Sequence, residues 1–500
     1  MFYIILFSIV ISILGLYCLF RFVIFKNNQK FQNVVNTILK VLVVVYVCIM
    51  LLSVLLPDAF KLSYSEEDLA SMECNVGYTL IRWFSMTSFV TLPIAVFYKN
   101  RTIRNIAIYF GLAITISQIC YLNEYLQDFT STSGRGLNSI SVISSSFKDF
   151  LLNESFRKIT FGIVMGMQLI IPIILSVNDK HLFNFKKQKE YLHFLLTLPC
   201  VIISAVPIYV CQHLFGYTNI IFEPYSLIHF GWFALLICEV VVLYYIFRKK
   251  DNETKMVVLY VLALSLIMQY LQMFSAISIN AARFPFQLCN LGAFFILLSL
   301  ITNNKKLFNF TVIINVIGVI FALASPDLDG KGLFYLYNMH FVLEHSNVLI
   351  IPILALMFGI FPRLNRASLK DCLLGFVIYF VCVWVIGTMF NAIEAQFGGS
   401  GFWSANYLFM FDATKATKLL GDWIGKLFVS FEVTLYPIIQ LVVLSVFLIV
   451  CLLLWLLIQV IYKVKDVKKN NLSQEKKVDN KVNENNQLET AEIEESGIKK

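Results

Sequence analysis

The stretch LVVLSVFLIVCLLLWLLI, residues 441–458, decides the fold class of this chain. Its 18 positions carry no charge, and a helix of about 20 apolar residues spans the hydrocarbon core of a bilayer. Similar runs recur along the 500 residues, of which 58% are hydrophobic and 14% charged, whereas about 25% of a soluble domain is charged. Because backbone groups in hydrocarbon must be satisfied within their own segment, these runs are predicted to be helices. We expect an all-α polytopic membrane protein.

The runs predict about 13 transmembrane helices. The first is expected to be retained, because the basic residues that follow it have the wrong polarity for a cleaved signal peptide. After residue 463 the chain is rich in Lys, Glu and Asn, so 464–500 is predicted to be a disordered cytoplasmic tail. The predicted spans are 2–25, 38–57, 77–98, 103–123, 156–177, 191–211, 225–247, 255–279, 286–302, 307–325, 340–361, 370–392 and 431–462.

The distribution of Lys and Arg predicts the orientation of the chain. Six alternating loops hold 18 of these residues in 53 positions, whereas the other six loops hold 10 in 125. Short cytoplasmic loops are enriched in positive charge. We therefore expect a multi-pass protein of the cell membrane with its N-terminus outside and its C-terminus in the cytoplasm.

Short matching stretches predict an internal duplication. GRGL at 134–137 matches GKGL at 330–333, and QLIIPI at 168–173 matches VLIIPI at 348–353. The predicted organisation is an N-terminal helix within 1–30, a first six-helix repeat at 38–250 and a second at 255–463. Six is an even number, so the two repeats would run in the same direction through the membrane and be parallel.

Only the second repeat keeps residues suited to nucleophilic chemistry. The matching stretches align Cys289 with Ser85 and His345 with Met165. Cys289 and His345 are each predicted near the outer end of a helix that runs inward, on two different helices. A nucleophile and its base need this arrangement, because their side chains must meet after the helices pack.

Short motifs in the second repeat resemble a known family. They are FPFQLCNL at 284–291, the basic pair at 305–306, SPD at 325–327 and FVLEHS at 341–346. Their order and spacing, across about residues 255–465, are similar to the YwaF-like integral membrane family, which includes the eukaryotic transmembrane protein 164. The sequence departs from the family at Gln287, where histidine is frequent, and at Glu344, where a small or neutral residue is expected.

The resemblance implies a function. The eukaryotic branch of the family is understood as a phospholipid acyltransferase that uses a cysteine and a histidine. By resemblance, Cys289 is the acylated nucleophile, His345 is its base, and membrane phospholipids are the partners. Asn290, His340 and Glu344 are candidate substrate-binding residues. No metal, soluble cofactor or nucleic acid is implied.

Two other functions are compatible with the sequence. A carboxylate deep in a membrane span is a functional candidate by default, so Glu239 favours a multi-pass transporter of a small solute or lipid. The third interpretation is a noncatalytic scaffold in which the polar residues only join helices, as buried polar groups do in membrane bundles.

Overall fold

Helices make up the regular structure of this protein, apart from one isolated β-bridge between Ile221 and Gly332 in the described residues. The computed structural model describes residues 1–26, 28–56, 76–98, 143–178, 221–276, 280–324, 336–397, 401–411 and 440–467, with the isolated positions 104, 107–108, 116, 326 and 332. The helices are α1 (Phe2–Leu19, continued by a π-helical turn Phe20–Ile24), α2 (Gln29–Leu55), α3 (Val76–Phe97), α4 (Ser145–Leu152), α5 (Glu154–Asn178), α6 (Leu227–Phe247), α7 (Asn252–Ala276), α8 (Leu288–Thr302), α9 (Lys305–Ala324), α10 (Leu336–Met357), α11 (Arg366–Phe397) and α12 (Gln440–Val467).

The predicted all-α membrane fold is confirmed. Eight of the described helices are long and apolar enough to cross a membrane, namely α1, α2, α5, α6, α7, α10, α11 and α12. Every predicted span within the described residues overlaps a helix. The predicted spans 103–123 and 191–211, and the tail 464–500, lie almost entirely outside the described residues. The count of about 13 spans and the orientation therefore stay predictions.

Two helices depart from the predicted boundaries for local reasons. α2 begins at Gln29 rather than at residue 38, because the side chain of Asn28 caps it by accepting hydrogen bonds from the backbone N–H groups of Lys30 and Phe31 at 2.9 and 3.2 Å. Polar residues continue the helix beyond its apolar part. α4 lies in a region predicted to be a loop. A search for apolar runs long enough to span a membrane does not detect a helix as short as this one.

The helices divide into buried and peripheral ones. α5, α7 and α10 bury most of their surface inside the protein, whereas α1, α6 and α12 bury little of theirs. The exposed surfaces of the peripheral helices are mostly apolar and suit lipid rather than water, and Glu239 on α6 is an exposed exception. The buried residues His340, Glu344 and His345 lie on the inner helix α10.

Helix packing follows the same pattern in both halves. In the N-terminal half α2, α3 and α5 pack against one another, with α1 on α5. In the C-terminal half α7, α8 and α10 pack against one another, with α6 on α10. This pattern groups α6 with the C-terminal helices, whereas the predicted first repeat of 38–250 includes it. The duplication and the domain boundaries stay predictions.

α8 and α9 approach each other closely at Gly292. A Cβ atom added there would lie 2.8 Å from Cγ of Asn315, a side chain of α9 that is itself buried. On α9, a Cβ added at Gly318 would lie 3.7 Å from Cδ2 of Leu288, which is an ordinary contact. The spacing of the two helices therefore depends on the missing side chain at position 292.

We expect Gly292→Ala to lower the thermal unfolding temperature of the purified protein. Overpacking a filled interface costs about 1–3 kcal/mol, and the better helix propensity of alanine returns about 1 kcal/mol at most. The matched control is Gly318→Ala, which should leave the unfolding temperature unchanged or raised. A Gly292→Ala protein as stable as this control would contradict the close approach.

Candidate functional site

Cys289 lies in the first turn of α8, which follows a short 3₁₀ turn, Ala281–Arg283. The thiol is partly buried and donates a hydrogen bond to Oδ1 of Asn290 at 3.2 Å. The amide of Asn290 in turn reaches Tyr270 on α7, with 3.5 Å between Nδ2 and the hydroxyl oxygen. Cys289 and Asn290 are thus brought together with a tyrosine that is completely buried.

His340 and Glu344 form a buried pair beside this tyrosine. They lie one turn apart on α10, and Nε2 of His340 is 3.0 Å from Oε2 of Glu344. The ring of Tyr270 packs beside that of His340, with 5.8 Å between ring centroids. His340 and Glu344 are only 4% and 2% exposed, so neither exchanges hydrogen bonds with bulk water. Contacts therefore lead from the thiol through Asn290, Tyr270 and His340 to the carboxylate, and the link between Tyr270 and His340 is a ring contact rather than a hydrogen bond.

Each member of this pair keeps one polar atom without a partner. Among the described residues, Nδ1 of His340 and Oε1 of Glu344 are buried and accept or donate no hydrogen bond. A buried carboxylate oxygen without a donor costs several kcal/mol in order of magnitude. Such atoms usually mark a position that another molecule fills.

His345 is also buried on α10, but its hydrogen bond goes elsewhere. Nδ1 lies 2.7 Å from the carbonyl oxygen of Phe341, and the two rings stack with centroids 4.2 Å apart. A carbonyl only accepts hydrogen bonds, so Nδ1 carries the hydrogen. The neutral ring then has its lone pair on Nε2, which is the form that can accept a proton.

The structure does not join Cys289 to His345 by a hydrogen bond, although α8 and α10 pack directly against each other. In the described parts of the chain the thiol bonds to Asn290 and the imidazole to Phe341. Glu344 precedes His345 on α10 and pairs with His340 one turn away. All five predicted site residues therefore lie on α8 and α10, which pack against each other.

A short segment, Gly401–Phe411, which we call the roof, covers the approach to α8. The Ala281 N–H donates to the carbonyl of Phe402 at 2.7 Å, and the Tyr407 hydroxyl donates to the carbonyl of Ala281. Gln287 also binds it, with Nε2 3.4 Å from the carbonyl of Asn406. Burial raises the pKa of Tyr407, so its hydroxyl stays protonated and remains a donor.

The N-terminal half holds a polar cluster in the corresponding place. Nε2 of Gln168 donates to the hydroxyl oxygen of Tyr46 at 3.1 Å and to Oγ of Ser85 at 3.0 Å. Tyr46 lies on α2 much as Tyr270 lies on α7, and Ser85 is the residue aligned with Cys289. Met165, aligned with His345, is completely buried. The first half thus has a hydroxyl where the second half has a thiol.

Sequence reasoning missed Tyr270 and the roof. Tyr270 was identifiable in principle, because it lies at about the same distance from the start of α7 as the buried Tyr46 does from the start of α2. The roof gives no periodic signal, since it is held by backbone hydrogen bonds rather than by a regular element. Gln287 was noted only as a departure from a family pattern, whereas in the structure it holds the roof.

Comparison with known proteins adds one similarity. Residues 221–456 match the model of the TMEM164 family. The match begins at the start of α6, earlier than the predicted limit of 255, and includes Cys289, the His340–Glu344 pair and His345. No curated protein and no solved structure gave a match to the chain. The TMEM164-like region therefore contains the whole candidate site.

We expect Tyr407→Phe to speed alkylation of Cys289 by a water-soluble maleimide, measured at the peptide level by mass spectrometry. Loss of the hydroxyl removes one of the two hydrogen bonds to the carbonyl of Ala281, the other coming from the Phe284 N–H at 3.2 Å. About 1 kcal/mol of lost stability corresponds to roughly fivefold more opening of the roof.

The matched control for this substitution is Tyr260→Phe. Tyr260 donates from its hydroxyl to the carbonyl of Leu300 at 3.2 Å, near the other end of α8. Its loss should weaken the protein without changing the alkylation rate of Cys289. Equal rates in the two variants would show that the roof does not limit access to the thiol.

Proposed function

We propose that the TMEM164-like region is an integral membrane lipid acyltransferase that carries the acyl chain as a thioester on Cys289. His345 on the neighbouring helix is the base. The observation that supports this most is the state of His345, whose Nε2 has its lone pair available on a helix packed against that of Cys289. Catalytic hydrogen bonds are often long without substrate and tighten when it binds.

The first half of the reaction follows from these groups. The thiol gives its proton to Nε2 of His345, and the sulfur attacks the ester carbonyl carbon of a phospholipid. A carbon–sulfur bond forms, the ester carbon–oxygen bond breaks, and the imidazolium returns its proton to the leaving lysolipid oxygen. The products are a thioester on Cys289 and a lysophospholipid. The hydroxyl of a second lysolipid then collects the acyl chain, so the cycle needs no soluble cofactor.

The location of the site suits a lipid substrate. The thiol lies among apolar helices, and the roof covers the way in past the start of α8. A phospholipid that enters sideways from the bilayer brings an ester group that lies just below its headgroup. Membrane phospholipids are accordingly the proposed partners of this region.

Transport is the less favoured function. Its support in the sequence is Glu239, a carboxylate within a predicted membrane span. In the described part of the chain, the Glu239 side chain is exposed on α6, a helix that buries little of its surface. A noncatalytic scaffold would need its buried polar atoms to be paired, and the His340–Glu344 pair has two that are not.

The decisive experiment is a search for an acyl adduct on Cys289. Full-length protein is reconstituted in vesicles of lipid extracted from the expression host, and its peptides are examined by mass spectrometry. We expect an acyl thioester on wild-type Cys289 and the loss of both adduct and acyl exchange in Cys289→Ala. The matched control is Cys382→Ala, because Cys382 is an exposed thiol on α11 without a role in the site. Full activity in Cys289→Ala would overturn the proposal.

Replacing His345 tests the base separately. In His345→Asn the side-chain amide can still donate to the carbonyl of Phe341, as Nδ1 does, but it cannot take up a proton. We expect the rate of Cys289 acylation in a single turnover to fall about 10²–10⁴-fold, with little change in the unfolding temperature. An unchanged acylation rate would assign the base to another residue.

A further inference from the structure

We propose that the side-chain amide of Asn315 donates a hydrogen bond from Nδ2 to the carbonyl oxygen of the acyl group as that group enters and leaves Cys289. This inference rests on the proposed function and adds a third catalytic residue to Cys289 and His345. The amide acts on the acyl oxygen and not on a proton of the donor or the acceptor. It therefore serves both halves of the reaction in the same way.

The Asn315 amide is a buried hydrogen-bond donor without a partner. Asn315 lies on α9 and is 1% exposed, and its Nδ2 makes no hydrogen bond to any described residue. An amide nitrogen carries two hydrogens and only donates, so the group that completes this position must be an acceptor. Other described residues also have unpaired buried atoms, and it is the position of this one relative to Cys289 that gives it a role.

The hairpin of α8 and α9 places this donor beside the cysteine. A tight turn joins the two helices, and Asn303 adopts φ of +50° in it. Gly292 lies ten residues before the end of α8 at Thr302, and Asn315 lies ten residues after the start of α9. The two positions are therefore level with each other. Nδ2 of Asn315 is 2.9 Å from the point at which a Cβ atom of Gly292 would lie.

Gly292 and Cys289 lie on the same face of α8, because they are three residues apart. Side chains at this spacing have Cβ atoms about 5–6 Å apart, and side chains lean toward the start of their helix. The amide of Asn315 thus occupies the space next to Cys289 that a side chain at position 292 would fill. This distance is short enough for the oxygen of an acyl group on the sulfur to reach Nδ2.

Asn315 and His345 lie at matching positions on neighbouring helices. Asn315 is nine residues before the end of α9 at Ala324, and His345 is nine residues after the start of α10 at Leu336. At a rise of 1.5 Å per residue, each is about 14 Å from the end at which these two helices are connected. α8, α9 and α10 all pack against one another. The nucleophile, the base and the amide donor therefore come from three helices in mutual contact.

The amide acts where negative charge develops. When the sulfur attacks the ester carbon, the electron pair of the carbonyl double bond moves to the oxygen, which becomes an oxyanion. The double bond then re-forms, the bond to the lysolipid oxygen breaks, and the imidazolium of His345 gives its proton to that oxygen. Attack by the second lysolipid is the same sequence in reverse, with His345 taking the hydroxyl proton and returning it to the sulfur. Both halves pass through the same oxyanion, so a donor already in place lowers both barriers.

Asn315→Leu tests the donor, because it removes the N–H groups while keeping a branched, uncharged side chain of similar shape. Full-length protein is freed of acyl groups with hydroxylamine and reconstituted in vesicles of host lipid. Mass spectrometry gives the rate of Cys289 acylation, and a phospholipase A2 digest of the same lipid then gives the rate of transfer to lysolipid. We expect both rates to fall about 10²–10³-fold, the range for loss of one donor to an oxyanion.

A reagent without a carbonyl group shows whether the thiol itself is intact. Dodecyl methanethiosulfonate transfers its alkylthio group to Cys289 by attack at sulfur, with a sulfinate as the leaving group and no oxyanion on the path. We expect Asn315→Leu to react with it at the wild-type rate. The matched control is Asn309→Leu, since Asn309 lies near the other end of α9 and donates to Asp371 at 3.0 Å. This control should lower the unfolding temperature and leave acylation unchanged.

Two results would overturn this inference. A wild-type rate in either half of the reaction would assign the oxyanion to other donors, such as the backbone N–H groups in the first turn of α8. Equal slowing of acylation and of the thiosulfonate reaction would make Asn315 structural. If Asn315→Leu does not fold, Asn315→Ala also lacks the donor and should show the same selective loss. Absence of any Cys289 adduct in wild type would instead overturn the proposed function, and this inference with it.

Discussion

Inside a bilayer, a polar group must find its hydrogen-bond partner within the protein, because the hydrocarbon offers none. This constraint orders the interior of the protein. Trp232 on α6 donates its indole N–H to Ser346 on α10, and Gln168 joins two other helices by donating to both Tyr46 and Ser85. The His340–Glu344 pair is one of the places in the described interior where buried polar atoms have no hydrogen-bond partner.

The two halves show what the same packing can support. In the first half the tyrosine, the serine and the glutamine bind one another, and such a cluster holds helices together. In the second half, Tyr270 instead accepts a hydrogen bond from Asn290, and its ring packs beside that of His340. A cluster whose polar groups bind one another contributes stability. In the second half, Tyr270 and Asn290 are hydrogen-bonded, whereas the His340–Glu344 pair has polar atoms without partners. The difference is consistent with a supporting first half and a working second half.

Sequence predicted the fold class because hydrophobic length is a local property that each helix carries by itself. The predicted site residues Cys289, His340 and His345 lie on α8 and α10, which pack against each other. The sequence did not predict which side chains of the site are hydrogen-bonded to each other. Whether the thiol bonds to Asn290 or to His345 depends on side-chain rotation and on the register between α8 and α10. The spacing of residues along one sequence determines neither of these. The roof was not predicted because it is held by hydrogen bonds with residues that are distant in the sequence.

The roof also explains how a buried thiol could be both protected and reachable. Gly401 opens it with φ of +74°, a conformation that favours glycine, and Glu394 accepts the N–H groups of Gly401 and Trp403 at 2.7 and 2.8 Å. Within the roof, Leu408 has φ of +53°, which a bulky side chain adopts only at a cost of about 1–2 kcal/mol. Packing and the bond from the Leu408 N–H to Gln287 hold it there. Because Gln287 is the residue that precedes α8, its hydrogen bonds to Asn406 and Leu408 tie the roof to the turn that carries Cys289.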